Sequence, residues 1–427
     1  MQFPIHIFSE PTRARQGVLL SLLALAFFMP WSRSGVSVFT ALAVFFWAID
    51  FISGEKDDNK SKKNILFTDN LVIALGLYLA YLFISLLWTD DFFQAWKNLK
   101  HYGHFFLVPV FLTSFNKEKS KYIIYAFIAG FLIHITASYL SYFHVPGFIT
   151  KYPNNPHVFM HHLDYSMLLA FFSILLFNRF YRGEYNIKQK AVYLVLAIAG
   201  TVLLFIVKGR SGQLAFFATI PFLIILAFPK GKRVRGLFSG ILLIGFIFGA
   251  AFFLSGNFKN RVSKAVDSVS RVMTTTDYQS SIGKRIFVGK MTWNIFLESP
   301  LFGKGIGDNM DALRGQIEKH APEELKPGLT KILRTHFHNQ YYQILAETGL
   351  IGLLLFLHIF YQFVRKFNSK TEFGVLALLL TVMFLVGFIG EPFAQNQFTS
   401  VLLAYFMGLC YFTNKNQADD EPTISQT

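Results

Sequence analysis

The amino-acid sequence predicts an all-α membrane protein with about twelve transmembrane helices and one large, partly helical loop on the outer side. Three observations predict it. The 427 residues are 53% hydrophobic, 51 of them Phe, and only 15% charged, whereas soluble domains carry roughly a quarter charged residues. A soluble core could not hide so much apolar surface. Apolar runs recur from Gln16 to Phe412, several close to the ~20 residues that carry a helix across a bilayer core. Cations collect in short connections between those runs, as the charge rule for membrane topology requires.

Taken in order, the runs start near residues 16, 35, 70, 102, 122, 161, 190, 212, 236, 338, 374 and 395, the one near 102 being the shortest. The first follows Arg13 and Arg15, but no small-x-small site precedes Pro30 and Trp31, so it reads as an uncleaved span rather than a signal. Cations around Lys60, Lys119, Lys188, Lys232 and Lys366 fall on one side of a twelve-span chain, while Arg33, Lys97, Lys100, Lys151, Lys208 and Arg210 are spread over the other. The heavier side is expected to be cytoplasmic, and both termini fall there. Residues 1–254 then hold nine spans, 255–335 the outer loop, 336–413 three more spans, and 414–427 a polar, disordered cytoplasmic tail. Within the loop, Val262, Val266, Val269 and Met273 recur at helical spacing, which suits a helix lying on the membrane surface or on the bundle. Residues 310–325 read as a more polar helix.

The net charge of +15 does not mark a nucleic-acid binder, because the cations sit between apolar runs rather than on one basic domain. Cys410 is the only cysteine, so no intrachain disulfide can form and the fold must rely on packing.

The sharpest motif is His338-Asn339, followed after nine residues by Gly349-Leu350-Ile351-Gly352, at the junction of the outer loop and an apolar run. At about 100° per residue, Tyr341, Tyr342, Leu345, Gly349 and Gly352 share the His338 face, the glycines permitting close helix approach. A helix N-terminus disfavours imidazolium, leaving a neutral ring able to take a proton from a hydroxyl. The same spacing also fits an interfacial histidine satisfied by a backbone carbonyl. Arg210, in Lys208-Gly209-Arg210-Ser211-Gly212-Gln213, stands on the side where cations are sparse; it suits a diphosphate contact, or a flanking arginine reaching for the interface. Arg285 precedes an apolar stretch and the turn Gly303-Lys304-Gly305-Ile306-Gly307, which lacks the features of a Walker loop. His157, His161, His162 and Asp164 cluster at another outer helix entrance, as a metal site or as the polar rim of a substrate mouth. Glu347 falls about 180° from His338 and Glu391 reads as the cap of an outer helix end; both should face protein or water.

An outer-loop arginine, a long outer loop before the tenth span, and His338-Asn339 with Gly349 and Gly352 at this spacing resemble the O-antigen ligase and polymerase family. The resemblance runs from about Asn70 to Phe412 and is sharp around Arg210, 285–307 and 338–352, with Gly289 where an aromatic would be expected. It implies a bacterial inner-membrane glycosyltransferase with its site on the periplasmic face. The donor would be a glycan on undecaprenyl diphosphate and the acceptor a lipid A core sugar. Arg210 and Arg285 would hold the diphosphate, and His338 would activate the acceptor hydroxyl. Asn339, Tyr342, Gly349 and Gly352 would support the site. Paired arginines would replace a divalent metal, so no metal or cofactor is expected. Surface-polysaccharide polymerases and protein O-oligosaccharyltransferases share the donor chemistry. A lipid-linked sugar transporter would instead place its polar groups near mid-membrane.

Overall fold

The computed structural model of the chain describes residues 10–148, 153–275, 277–327, 329 and 336–419; Lys151, part of the outer loop and residues 420–427 lie outside them. The described regular elements are helical, with no strand among the described residues. From the N-terminus they are α1 Arg13–Phe28, α2 Arg33–Ser53, α3 Lys56–Thr68, α4 Asn70–Ile84, α5 Phe92–Leu99, α6 Leu107–Ser114, α7 Ser120–Tyr142, α8 His162–Arg182 and α9 Ile187–Ile206. Then follow α10 Arg210–Ala227, α11 Arg233–Leu254, α12 Gly256–Thr275, α13 Ser281–Glu298, α14 Asn309–His320, α15 Gln340–Val364, α16 Glu372–Gly387 and α17 Gln397–Asp419.

A helix stands near every run start read from the sequence, and among the described residues eight helices are long and apolar enough to cross a membrane. The run near 102 departs most from a span. A tight 3-10 segment, Lys100–Phe106, precedes the eight-residue α6. Polar groups punctuate this run: His104 Nδ1 lies 2.8 Å from Ser400 Oγ, and Tyr102 accepts from Gln395 Nε2 at 3.0 Å. At the other end, α17 continues to Asp419, past the residue 414 boundary expected for the tail.

Phenylalanine builds the core. Two thirds of α8 is buried, with Phe172 stacked on Phe131 of α7 at 4.3 Å and Phe171 against Phe406 of α17 at 4.4 Å. By contrast α2 and α11 turn Phe45, Phe246 and Phe253 outward, the composition of helices that face lipid. Away from the site, Lys62 of α3 is buried between Asp50 at 2.7 Å and Asp58 at 2.8 Å, so this cation of the Lys60 group is neutralised inside the protein.

The segment expected as an outer loop contributes α12, α13 and α14. Phe287, Val288, Met291 and Ile295 of α13 pack on Met310, Leu313 and Ile317 of α14, a small core separate from that of the bundle. Helix α12 forms where valine spacing predicts it, and its stripe packs on the bundle only in part: Phe258, Val262 and Ser268 face the protein, while Val266 and Met273 are 65% and 82% exposed.

Candidate active site

His338 is not part of a helix. Its backbone sits at φ 54°, in the left-handed region that a side chain with a Cβ seldom occupies. The helix begins two residues later, with Asn339 as its cap: Oδ1 accepts the amides of Tyr341 at 2.8 Å and Tyr342 at 3.1 Å. The helical phase read from the sequence therefore does not extend to His338. What aims the ring is the cap together with the loop between α16 and α17. Asn339 Nδ2 donates to the Ile389 carbonyl at 3.1 Å, the Gln340 amide to Phe388 at 2.9 Å, and the Ala394 amide to Gln340 Oε1 at 3.0 Å. These bonds strap that loop across the start of α15.

The loop carries Glu391, fully buried. Its Oε2 lies 3.1 Å from His338 Nδ1, and its Oε1 accepts from the Arg285 guanidinium at 2.8 Å. Burial alone would push the carboxyl up; the hydrogen bond and charge of His338, with Arg285, outweigh it and hold it below the usual carboxylate range. An ionised carboxylate can only accept, so Nδ1 of His338 carries a proton, and in the neutral ring Nε2 is the nitrogen able to take one. His336 stands beside this pair, pushed down to about 4 by burial and then by the neighbouring charge of His338. Its neutral Nδ1 accepts the His338 amide at 3.3 Å.

Arg210 is the first residue of α10, with glycines on either side of its turn. A Cβ on Gly209 would lie 2.1 Å from Ser166 Cβ, and one on Gly212 2.2 Å from the Ser166 carbonyl oxygen. These glycines let α10 start against α8, rather than letting a ligand approach. Gly390 continues the contact, since a Cβ there would lie 2.3 Å from Ser211 Oγ. The Glu391 loop is thereby seated on the Arg210 turn. Arg210, Arg285, His338 and Tyr342 line one cavity of ≈ 500 Å³, walled by Leu214, Phe217, Phe248 and Phe258. Arg261 of α12, which the sequence did not single out, lines it too; burial, then Arg210, push its guanidinium down to about 10.

The two supporting glycines act differently from a shared helix face. Gly349 breaks α15 at φ 63°, ψ −159°, and a Cβ there would lie 2.4 Å from the Leu301 carbonyl oxygen. Across the break, Lys304 and Gly305 amides donate to Ala346 and Glu347 carbonyls at 2.8 and 2.9 Å, while Leu350 and Ile351 amides donate to Pro300 and Leu301 at 2.9 and 3.3 Å. The glycine-rich turn is a docking partner for the broken helix. Gly352 lies on the side of α4, with Tyr81 3.4 Å from where its Cβ would be. Gly289 makes room for Tyr342, whose hydroxyl would lie 2.7 Å from an added Cβ; the aromatic comes from α15 instead.

Glu347 faces protein, its carboxylate accepting from Gln343 at 2.9 Å and Asn309 at 3.1 Å. The His157, His161, His162 and Asp164 cluster is engaged locally: His157 Nδ1 lies 2.6 Å from the Asn155 carbonyl oxygen, and Asp164 accepts from Asn396 at 3.1 Å. Among the described residues the set whose possible ligand atoms converge, within 4.8 Å, is His336, His338 and Glu391. The arginines on the same cavity oppose a cation there.

Residues 193–357 match the O-antigen ligase family. The matched stretch holds Arg210, Arg261, Arg285, His338 and both α15 glycines, so the O-antigen ligase resemblance read from the sequence is shown; it ends before Glu391. A Rickettsia conorii protein named "Putative polysaccharide ligase RC0486" is 30% identical over 93 residues, 21% of each chain. A Rickettsia bellii protein named "Putative polysaccharide ligase" is 25% identical over 273 residues, 62% of this chain and 59% of that one. The chain thus spans less than two thirds of the length of either relative.

Proposed function

We propose that this chain is a glycosyltransferase of the surface-polysaccharide ligase kind, moving an O-antigen glycan from undecaprenyl diphosphate to a lipid A core sugar hydroxyl. The observation that carries the reading is one buried carboxylate, Glu391, joining His338 to Arg285 on the wall of an arginine-lined cavity. In this reading Nε2 of His338 takes the acceptor hydroxyl proton while that oxygen bonds to the anomeric carbon. The bond from the anomeric carbon to the diphosphate breaks, and Arg210 and Arg285 stabilise the charge growing on the leaving phosphate. Such a leaving group needs no protonation. Asn339 and the strapped loop hold the histidine, and Tyr342 lines the donor mouth.

The positive-inside pattern supports an inner-membrane location with this cavity on the periplasmic face and both termini in the cytoplasm. The O-antigen ligase match and the polysaccharide ligase names of the relatives support the substrate class. A polymerase would use the same donor, with a second lipid-linked glycan as acceptor. Incubating purified protein with undecaprenyl diphosphate-linked glycan, with and without lipid A core, separates the two. Glycosylated lipid A core is the expected product; longer glycan from donor alone would overturn ligation in favour of polymerisation.

A further inference from the structure

Arg261 lies on the face of α12 that also turns Phe258, Val262 and Ala265 to the cavity, a cation set in an otherwise apolar stripe. Cations half-buried in an apolar wall are stabilised by a compensating charge. Arg285 has Glu391, but among the described residues no carboxylate pairs with Arg210 or Arg261, and the buried Nε of Arg210 has no hydrogen-bond partner. Three arginines and one paired carboxylate on this wall leave an excess of positive charge. A diphosphate diester, with one negative charge on each phosphate, balances it.

The arginines also stand in order. Arg285 is fixed beside His338 through Glu391, whereas Arg261 shares with Phe258 the cavity-lining face of α12. Around Arg261 the wall turns aromatic, with Phe258 against Phe217 and Phe248. A lipid-linked sugar has the same sequence of chemistry: anomeric carbon, two phosphates, isoprenoid chain. We infer that Arg261 is a third donor-binding arginine, gripping the phosphate attached to the lipid while Arg285 serves the phosphate attached to the sugar. The inference rests on the donor chemistry proposed above.

The test is equilibrium binding of undecaprenyl diphosphate, undecaprenyl phosphate and inorganic pyrophosphate to detergent-purified full-length protein. Arg261→Ala is expected to weaken both lipids about tenfold or more, because both keep the lipid-side phosphate. Arg285→Ala is expected to weaken the diphosphate alone. Arg261→Lys, which keeps the charge, should lose part of the affinity, and Lys264→Ala on the exposed side of α12 none; thermal melting checks that each variant is folded. If Arg261→Ala and Arg261→Lys both bind the lipids like wild type while Arg210→Ala and Arg285→Ala weaken the diphosphate, Arg261 is no ligand and the donor reading survives. If no arginine variant changes binding, the donor reading falls as well. Inorganic pyrophosphate displacing undecaprenyl diphosphate as potently as the lipid itself would make the occupant a free anion and overturn the inference.

Discussion

The Glu391 carboxylate meets Nδ1 of His338 at 3.1 Å across 53 residues of sequence. That contact gives the histidine a defined tautomer, and a carboxylate in this position also stabilises the imidazolium that forms once a proton is taken. His338→Ala should reduce transfer by about 10²–10⁴-fold. Glu391→Gln, which keeps the size but not the charge, should cost about 10–100-fold. Steady-state transfer assays on variants of equal melting temperature check both. Near-normal turnover in His338→Ala would remove it as the base.

The two sequence-predicted arginines should not behave alike. Arg210→Ala is expected to weaken donor binding about tenfold to a hundredfold, the worth of a charge-assisted contact, with little effect on bound-state turnover. Arg285→Ala should lower affinity and turnover together, since it also strips Glu391 of its partner at 2.8 Å. Separate measurement of binding and single-turnover rate distinguishes them. Equal, binding-only defects would mean that the Arg285–Glu391 pair does not serve the reaction.

Activity should survive EDTA. His336, His338 and Glu391 could offer ligand atoms to an ion, yet Glu391 is occupied by Arg285 and Arg210 and Arg261 line the same cavity. Reversible loss of transfer on chelation, restored by one divalent ion, would move those three residues from proton transfer to metal binding.

Gly349→Ala should destabilise the protein. Its backbone conformation is open in practice to glycine alone, at a cost of about 1–3 kcal/mol for other residues, and the new methyl would run into the Leu301 carbonyl. A lower melting temperature in detergent is the expected readout. Gly315→Ala in α14 provides a contrast, because an added Cβ there meets nothing within 4 Å; equal losses would mean that the break carries no special strain.

Single cysteines placed at Lys119, Lys188, Lys232 and Lys366 should resist an impermeant thiol reagent in intact cells whose outer membrane has been permeabilised. Cys410 is fully buried, so the background is expected to be silent. Labelling at those positions would invert the proposed topology.

His338 and Arg210 stand out in the sequence as polar residues where an apolar run begins, whereas Arg285 is singled out only by the family resemblance. Glu391 is not: its nearest chemistry is 53 residues upstream, and a lone carboxylate after an apolar run reads as a helix cap. Arg261 is hidden among the loop cations because valine spacing marks an apolar face of α12 without saying whether membrane or protein covers it; Phe258 at the helix start packs on the protein. The 3-10 stretch near 102 does not show in a run dominated by Phe, Leu and Val, because the hydroxyl and imidazole contacts along it come from residues near the other end of the chain. Long helices with their own periodicity survive reading from sequence; contacts across the bundle do not.

The break at Gly349 bears on how the protein is made. Backbone amides and carbonyls left without partners in hydrocarbon cost several kcal/mol each, by rough reckoning. Residues 346–351 cannot complete their own ladder and depend on 300–305, which leave the ribosome first. The glycine-rich turn is thus synthesised before the helix it completes, and α15 cannot reach its final backbone pairing by insertion alone. Four hydrogen bonds thereby join the order of synthesis to the final shape of α15.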